Sequence, residues 1–169
     1  IGYRLVGSEM CIRDRFYGDV GLRGDRIVAI GDLAQWEAKT TIDATGQYIT
    51  PGFIDIHSHA DDGARPQGGF RDSDKKRRAA PNLVAQGITT VVINQDGRSP
   101  WPIASQLKQI RTKGIGPNAI PLVGHGTVRG KVMKGDYKRP ATDGEVDRMR
   151  SLVRQAVEEG AWGISAGLE

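Results

Sequence analysis

Two of the three histidines in this 169-residue chain stand two residues apart, in the stretch PGFIDIHSHADDG from Pro51 to Gly63. The apolar run FIDI leads straight into them. On a β-strand alternate side chains share a face. Asp55, His57 and His59 are therefore expected on one side, with Ile54, Ile56 and Ser58 on the other. Two imidazoles at i, i+2 on a strand end can both reach one cation, at Zn–N distances of about 2.0–2.1 Å. Asp55, one step deeper on that face, can orient a ligand by accepting a hydrogen bond. A histidine at a strand end can equally be structural, and H-x-H by itself does not decide between the two. Context carries the metal reading: the pair closes a strand, and HADDG then opens a loop of the kind that rims a site.

The elements that must position the pair follow from periodicity and turn residues. DVGLR and RIVAIGD are short β runs around Gly24-Asp25, a hairpin signal. TTIDATGQYITPG repeats the pattern, with a turn at Thr45-Gly46. Residues 16–51 thus read as a small antiparallel β unit. After Pro51 the period changes. FIDIHSH (53–59) reads as a strand, APNLVAQG (80–87) as a helix end stopped by Gly87, and ITTVVIN (88–94) as a second strand. PIASQLKQIRTKG (102–114) is an amphipathic helix with Ile103, Leu107 and Ile110 on one face. NAIPLVGH (118–125) is a third strand. In TDGEVDRMRSLVRQAVEEG (142–160), Thr142 and Glu145 form a capping box. Val146, Met149, Leu152, Val153, Ala156 and Val157 make an apolar stripe on that helix. WGISAGL (162–168) is a fourth strand. Strands alternating with helices imply parallel β/α units, found in open sheets and in (β/α)₈ barrels.

Composition narrows the class. A formal charge of +4 with 38% hydrophobic residues fits one ordinary domain or parts of two. No apolar run approaches the roughly 18–20 residues that span a membrane. No secretory signal is visible, and the single cysteine, Cys11, excludes an internal disulfide framework. A reducing cytoplasmic setting is expected. The sequence pI of 9.4 raises nucleic acid as a partner. The basic residues are nevertheless interleaved with acids, and DKKRR at Asp74 to Arg78 reads as a solvated loop or helix start. No nucleic-acid or membrane partner is expected. The first fifteen residues show neither alternation nor helical spacing. Their SEMCIRDR has the look of translated non-biological sequence, so residues 1–15 are set aside as a suspect non-native leader.

The segments IDATGQYITPGFIDIHSHADD, GITTVVINQDGRSP, LVGHGTVRG, KRPATDGE and GAWGISAGLE together resemble the amidohydrolase superfamily. More narrowly, they resemble its N-acyl-D-amino-acid deacylase (D-aminoacylase) branch, over roughly residues 16–169. The resemblance implies an α/β fold: a TIM-type barrel preceded by part of a small β-sandwich domain. Residues 52–169 would be the first half of the barrel, about four β/α units. It also implies a hydrolase with one or two zinc ions acting on small N-acyl amino acids, with His57 and His59 as metal ligands.

The residue that joins the metal site from the second strand is typically a cysteine in that branch. Here NQDG places Asp96 at the matching position. A carboxylate can ligate or bridge zinc but makes a harder site than a thiolate. Asp96 can also be read as a turn residue. His125, flanked by glycines in GHGTVR, can contact substrate, support the metal, or be structural. Arg129 can pair with a substrate carboxylate or lie on the surface. Glu169, the last residue, carries no reading.

In the family the general base is an aspartate after the last barrel strand, and two further histidine ligands come from middle strands. No residue here matches those positions, so no catalytic residue is assigned. The chain alone is expected to be inactive and marginally stable. Two other readings stay open. One is a cyclic-amide hydrolase of the same superfamily, dihydropyrimidinase-like. The other is a non-enzymatic α/β binding module.

Overall fold

The computed structural model of the chain describes residues 3–10, 17–61, 68–136 and 138–167. Cys11 and Glu169 lie outside the described residues. The chain divides into two compact units, Ile1–Pro51 and Gly52–Glu169.

The first unit is a five-stranded sheet. Strands β2 (Tyr17–Arg23) and β3 (Arg26–Gly31) pair antiparallel across the expected hairpin. Gly24 takes a φ of +59° there, which a side chain resists. Strand β1 (Tyr3–Met10) pairs antiparallel with β2. Its residues, set aside from the fold by their pattern, are therefore part of the sheet. A strand flanked on both sides is held by its backbone, and that pairing needs no alternation. The unit is also not purely antiparallel. Strands β4 (Thr40–Asp43) and β5 (Tyr48–Ile49) each run parallel to β1 and do not pair with one another. Asp19 is buried and accepts the Leu33 N–H at 3.1 Å, which folds the chain after β3 back onto β2.

The second unit is α/β. Strands β6 (Phe53–Asp55), β7 (Ile88–Ile93) and β8 (Asn118–Pro121) form a parallel sheet in that order. The expected third strand is broken at Leu122. Its second piece, β9 (Val123–Gly124), leaves the sheet's register to pair parallel with β10 (Ile164–Ser165). Pro121 has no N–H to donate, which weakens the ladder where the break occurs.

Short helices α1 (Lys75–Arg78) and α2 (Pro81–Val84) precede β7. The Asp74 carboxylate caps α1 by accepting the Lys76 N–H. The basic run is a helix start, but Arg78 is not solvated. Buried, it donates to the carbonyls of Asp72, Ser73, Lys113 and Gly114. It thereby binds α1 to the C-terminus of α3 (Ile103–Lys113), where backbone carbonyls favour a cation.

Helix α4 (His125–Met133) went unpredicted: Gly126 and Gly130 dilute its helical signal. Helix α5 (Asp143–Glu158) begins with the expected reciprocal capping box of Thr142 and Glu145. Its stripe buries Ala156 fully, but Val157 stands half exposed.

Two apolar clusters hold this unit. One joins Phe70, Ala80, Val91, Ile93 and Ile110; the other joins Ile103, Val123, Val128, Ala156 and Ala161. Helix α3 serves both, through Ile110 and Ile103. Fully burying each such side chain is worth about 1.5–3 kcal/mol. Helix α3 is thus pinned against the ends of β7 and β9, where the polar residues gather.

Candidate metal centre

Strand β6 stops at Asp55, sooner than FIDIHSH suggests, and a local hydrogen bond accounts for it. The Asp55 carboxylate accepts the His57 N–H at 3.0 Å, bending the chain out of the ladder. Asp55 therefore acts on the backbone that carries His57. Alternation nevertheless continues past the strand. His57 and His59 are exposed on either side of buried Ser58. The Ser58 N–H donates to the Val92 carbonyl at 3.0 Å, and its hydroxyl accepts the Ala60 N–H at 3.3 Å. Buried Ser58 is the anchor that turns its two neighbours outward.

Asp96 comes from the loop after β7. Asn94 and Asp96 have φ of +67° and +57°, in the left-handed region that Asn and Asp tolerate better than other side chains. Three bonds tie this loop to β10 and α4. The Ser165 hydroxyl donates to the Asn94 carbonyl at 2.6 Å and accepts the Gly97 N–H at 3.2 Å. The Thr127 N–H donates to the Gly97 carbonyl at 3.2 Å. A Cβ on Gly124 would run into the Gly97 carbonyl oxygen, so only glycine permits this approach of the end of β9 to the loop.

The three exposed side chains converge. His57 Nε2 lies 3.6 Å from Asp96 Oδ1, and His59 Nε2 lies 3.3 Å from Asp96 Oδ2. One donor atom from each residue falls within 4.8 Å of the others, the one such group of three or more among the described residues. Tetrahedral zinc with bonds of about 2.0–2.1 Å has ligand–ligand edges of about 3.3–3.4 Å. The two imidazole nitrogens face different oxygens of the Asp96 carboxylate, at 3.6 and 3.3 Å, and small side-chain adjustments bring one donor from each residue onto such an ion. The three residues fit it in donor chemistry. Their exposure leaves a side of the site open to water or substrate.

The other two candidates stand apart from this cluster. His125 opens α4, exposed, and borders an apolar groove of about 360 Å³ with Val128, Met149, Val153 and Ile164. Arg129 Nη2 donates to the Arg139 carbonyl at 2.9 Å. That bond ties α4 to the segment leading into α5.

Sequence reasoning missed the residues behind the cluster. Gln95 Nε2 reaches across to the Ile56 carbonyl at 3.2 Å and to Val92 O at 2.9 Å. Asn94, Gln106, Asp61 and Arg71 form a buried chain of hydrogen bonds. One signal was legible: Gln106 sits between Ile103 and Leu107, on the apolar face of α3, where a polar residue needs partners.

The chain is similar to several known proteins. The chain is 37% identical to a D-aminoacylase of Alcaligenes xylosoxydans xylosoxydans, covering 88% of this chain and 33% of that protein. It is 38% identical to an N-acyl-D-aspartate deacylase of the same organism, covering 89% and 32%. The chain thus spans about one third of the length of these curated relatives. A solved N-acyl-D-glutamate deacylase from Bordetella bronchiseptica, complexed with zinc and a phosphonate inhibitor, superposes with a TM-score of 0.83 at 27% identity. That match covers 99% of this chain and 38% of that one. The family model described as amidohydrolase family matches residues 40–168, which take in both histidines, Asp96 and every element from β4 to β10. On that match the chain belongs to the amidohydrolase family.

Proposed function

We propose that this chain supplies the first metal ligands of a zinc-dependent hydrolase that cleaves the amide bond of N-acyl-D-amino acids. The observation that carries the reading is the convergence of His57, His59 and Asp96, with one donor atom from each within 4.8 Å of the others, beyond the C-terminal ends of β6 and β7. A ligand site in that place is what parallel β/α architecture favours. The parallel strands β6 to β10 are then the opening part of a TIM-type barrel, and residues 16–51 belong to a small β-sandwich domain.

His57 and His59 would hold the ion through their Nε2 atoms, with Asp96 as the carboxylate ligand in place of a thiolate. A bound zinc supplies Lewis acidity, lowering the pKa of a water toward about 7 and polarising a carbonyl. The residues of this chain orient the donors: Asp55 and Ser58 fix the histidine backbone, and Ser165 and Thr127 fix the Asp96 loop. The general base and two further histidines belong to a protein of the relatives' length. The proposed setting is cytoplasmic, and no helix among the described residues is long and apolar enough to cross a membrane.

Two measurements test this. Zinc titrated into the chain should bind, and binding should disappear in H57A and H59A. A protein of the relatives' length carrying this sequence should release free amino acid from N-acetyl-D-amino acids and not from their L-isomers. Absence of zinc binding overturns the metal site. Zinc binding with no D-selective hydrolysis overturns the substrate class and leaves the site standing.

A further inference from the structure

The histidine pair and Asp96 arrive on two separate loops, and nothing in the ligand triad itself holds those loops in register. Asp61, two residues beyond His59, and Asn94, two residues before Asp96, are both 2% exposed. The side chain of Gln106 on α3, 1% exposed, lies between them. Its Nε2 donates to Asp61 Oδ2 at 2.7 Å and to Asn94 Oδ1 at 2.9 Å. Its Oε1 accepts from Asn94 Nδ2 at 2.9 Å. Asn94 Nδ2 also donates to the Leu122 carbonyl at 2.8 Å, at the break between β8 and β9. Arg71 Nε reaches both oxygens of Asp61, at 3.1 and 3.2 Å.

We infer that Gln106 is a positioning residue that, from the buried side, locks the two ligand-bearing loops together and so helps to set the spacing of the metal site. The inference rests on the metal reading above. The requirement is chemically narrow. The position needs two donations from one nitrogen and one acceptance by one oxygen, in a buried place. Glu lacks the donors, Lys and Arg lack the acceptor, and Leu lacks both. A polar side chain among Ile103, Leu107 and Ile110 is costly unless fully bonded. Here it is fully bonded, and both of its partners stand two residues from a metal ligand. Asn94 passes the constraint to Asp96 through a left-handed turn of two residues, and Asp61 passes it to His59 through Ala60. Gln106 touches no ligand atom; it acts through these partners.

The test is zinc affinity by calorimetric titration, with the visible absorption of the cobalt(II)-loaded chain as a readout of coordination geometry. Wild type, Q106L, Q106E and the control I110V are compared. Losing a group bonded directly to a metal ligand costs about 10–100-fold in metal affinity, and losing Gln106, one bond farther out, should cost about 10-fold, the lower end of that range. Q106L and Q106E should show that loss, with altered cobalt bands. I110V trims the same helix face, so it should lower thermal stability and leave affinity and cobalt spectrum unchanged. Q106E keeps the length of the side chain and its acceptor toward Asn94, so it carries the test if Q106L does not fold. Wild-type affinity and spectrum in a folded Gln106 variant overturn the inference while leaving the metal site intact. A wild-type chain that binds no zinc overturns the metal reading and this inference with it.

Discussion

The exposed triad and the buried network behind it are built from similar polar groups and do opposite work. His57, His59 and Asp96 have side chains 60%, 65% and 49% exposed, and they meet at 3.3 and 3.6 Å, long for hydrogen bonds between them. Asp61 and Arg71, by contrast, are 0% and 6% exposed at the side chain and bond at 3.1 Å. The first set keeps its lone pairs uncommitted and solvated, as a site that must accept a ligand requires. In the second set hydrogen bonds tie each group to its neighbours, as a buried polar group requires. The difference separates binding from stability, and substitutions on the two sides should separate the same way.

The largest expected effect is on the exposed side. His57→Ala or His59→Ala removes one of three donors. Each should lower zinc affinity by more than the about 100-fold that bounds a supporting residue, with the thermal midpoint of the metal-free chain unmoved. A fall in metal-free stability comparable to that of a core substitution would erase the distinction between the two regions.

Next comes the buried side. Arg71→Met leaves Asp61 as an uncompensated buried carboxylate, and breaking such a pair typically costs about 3–5 kcal/mol. Denaturant unfolding without metal should show this. Because Asp61 also holds Gln106, zinc affinity should fall too, which makes the coupling between the regions measurable. Arg71→Met with unchanged stability would mean the pair is not the anchor its burial indicates.

A subtler change sharpens the chemistry of the triad. Asp96→Cys replaces a hard oxygen with a soft sulfur on the same loop. Competition titrations should shift preference toward cadmium over zinc, and the cobalt form should gain thiolate-to-metal absorption. An unchanged preference would show that Asp96 does not contact the ion.

What the sequence disclosed followed the same division. H-x-H, NQDG, the Thr142/Glu145 capping box and the hairpin at Gly24 are local, and residue order alone exposes them. The parallel β/α order was equally plain from period changes. The network was hidden because Asp61, Arg71, Asn94 and Gln106 are scattered over 45 positions, between residues 61 and 106. Only the misfit of Gln106 on an apolar face hinted at it. The breaks were hidden for a related reason. β6 ends early because Asp55 turns onto its own backbone, and the third strand splits at Leu122 because its halves find different partners. Strand β1 was missed because its pairing lies in backbone hydrogen bonds that its pattern does not display.

The smallest effect belongs to a site remote from both regions in role, and it serves as the control. Arg139 donates to both oxygens of Glu145 at 2.8 Å, and the Thr142 N–H adds a third bond at 2.8 Å. The Arg139 bonds chiefly, then the Thr142 N–H, hold the Glu145 carboxyl far below the usual range. An unfolded glutamate takes up its proton near pH ~4.3. Below that value the unfolded chain binds a proton that the folded chain resists, so stability rises with pH through this window. The contribution is complete above about pH 4.3 and is lost as pH falls below it. Glu145→Gln keeps one acceptor for the capping box, while it removes the charge and one of the two acceptors that Arg139 uses. Wild type should therefore exceed the variant in denaturant stability at pH 7, and the gap should close as the solution is acidified. Zinc affinity at pH 7 should be the same in both, since Glu145 bonds to Arg139 and Thr142 and to neither ligand loop. A variant that lost zinc affinity along with stability would show that any loosening of this unit reaches the metal site, and the role assigned to the buried network would lose its specificity.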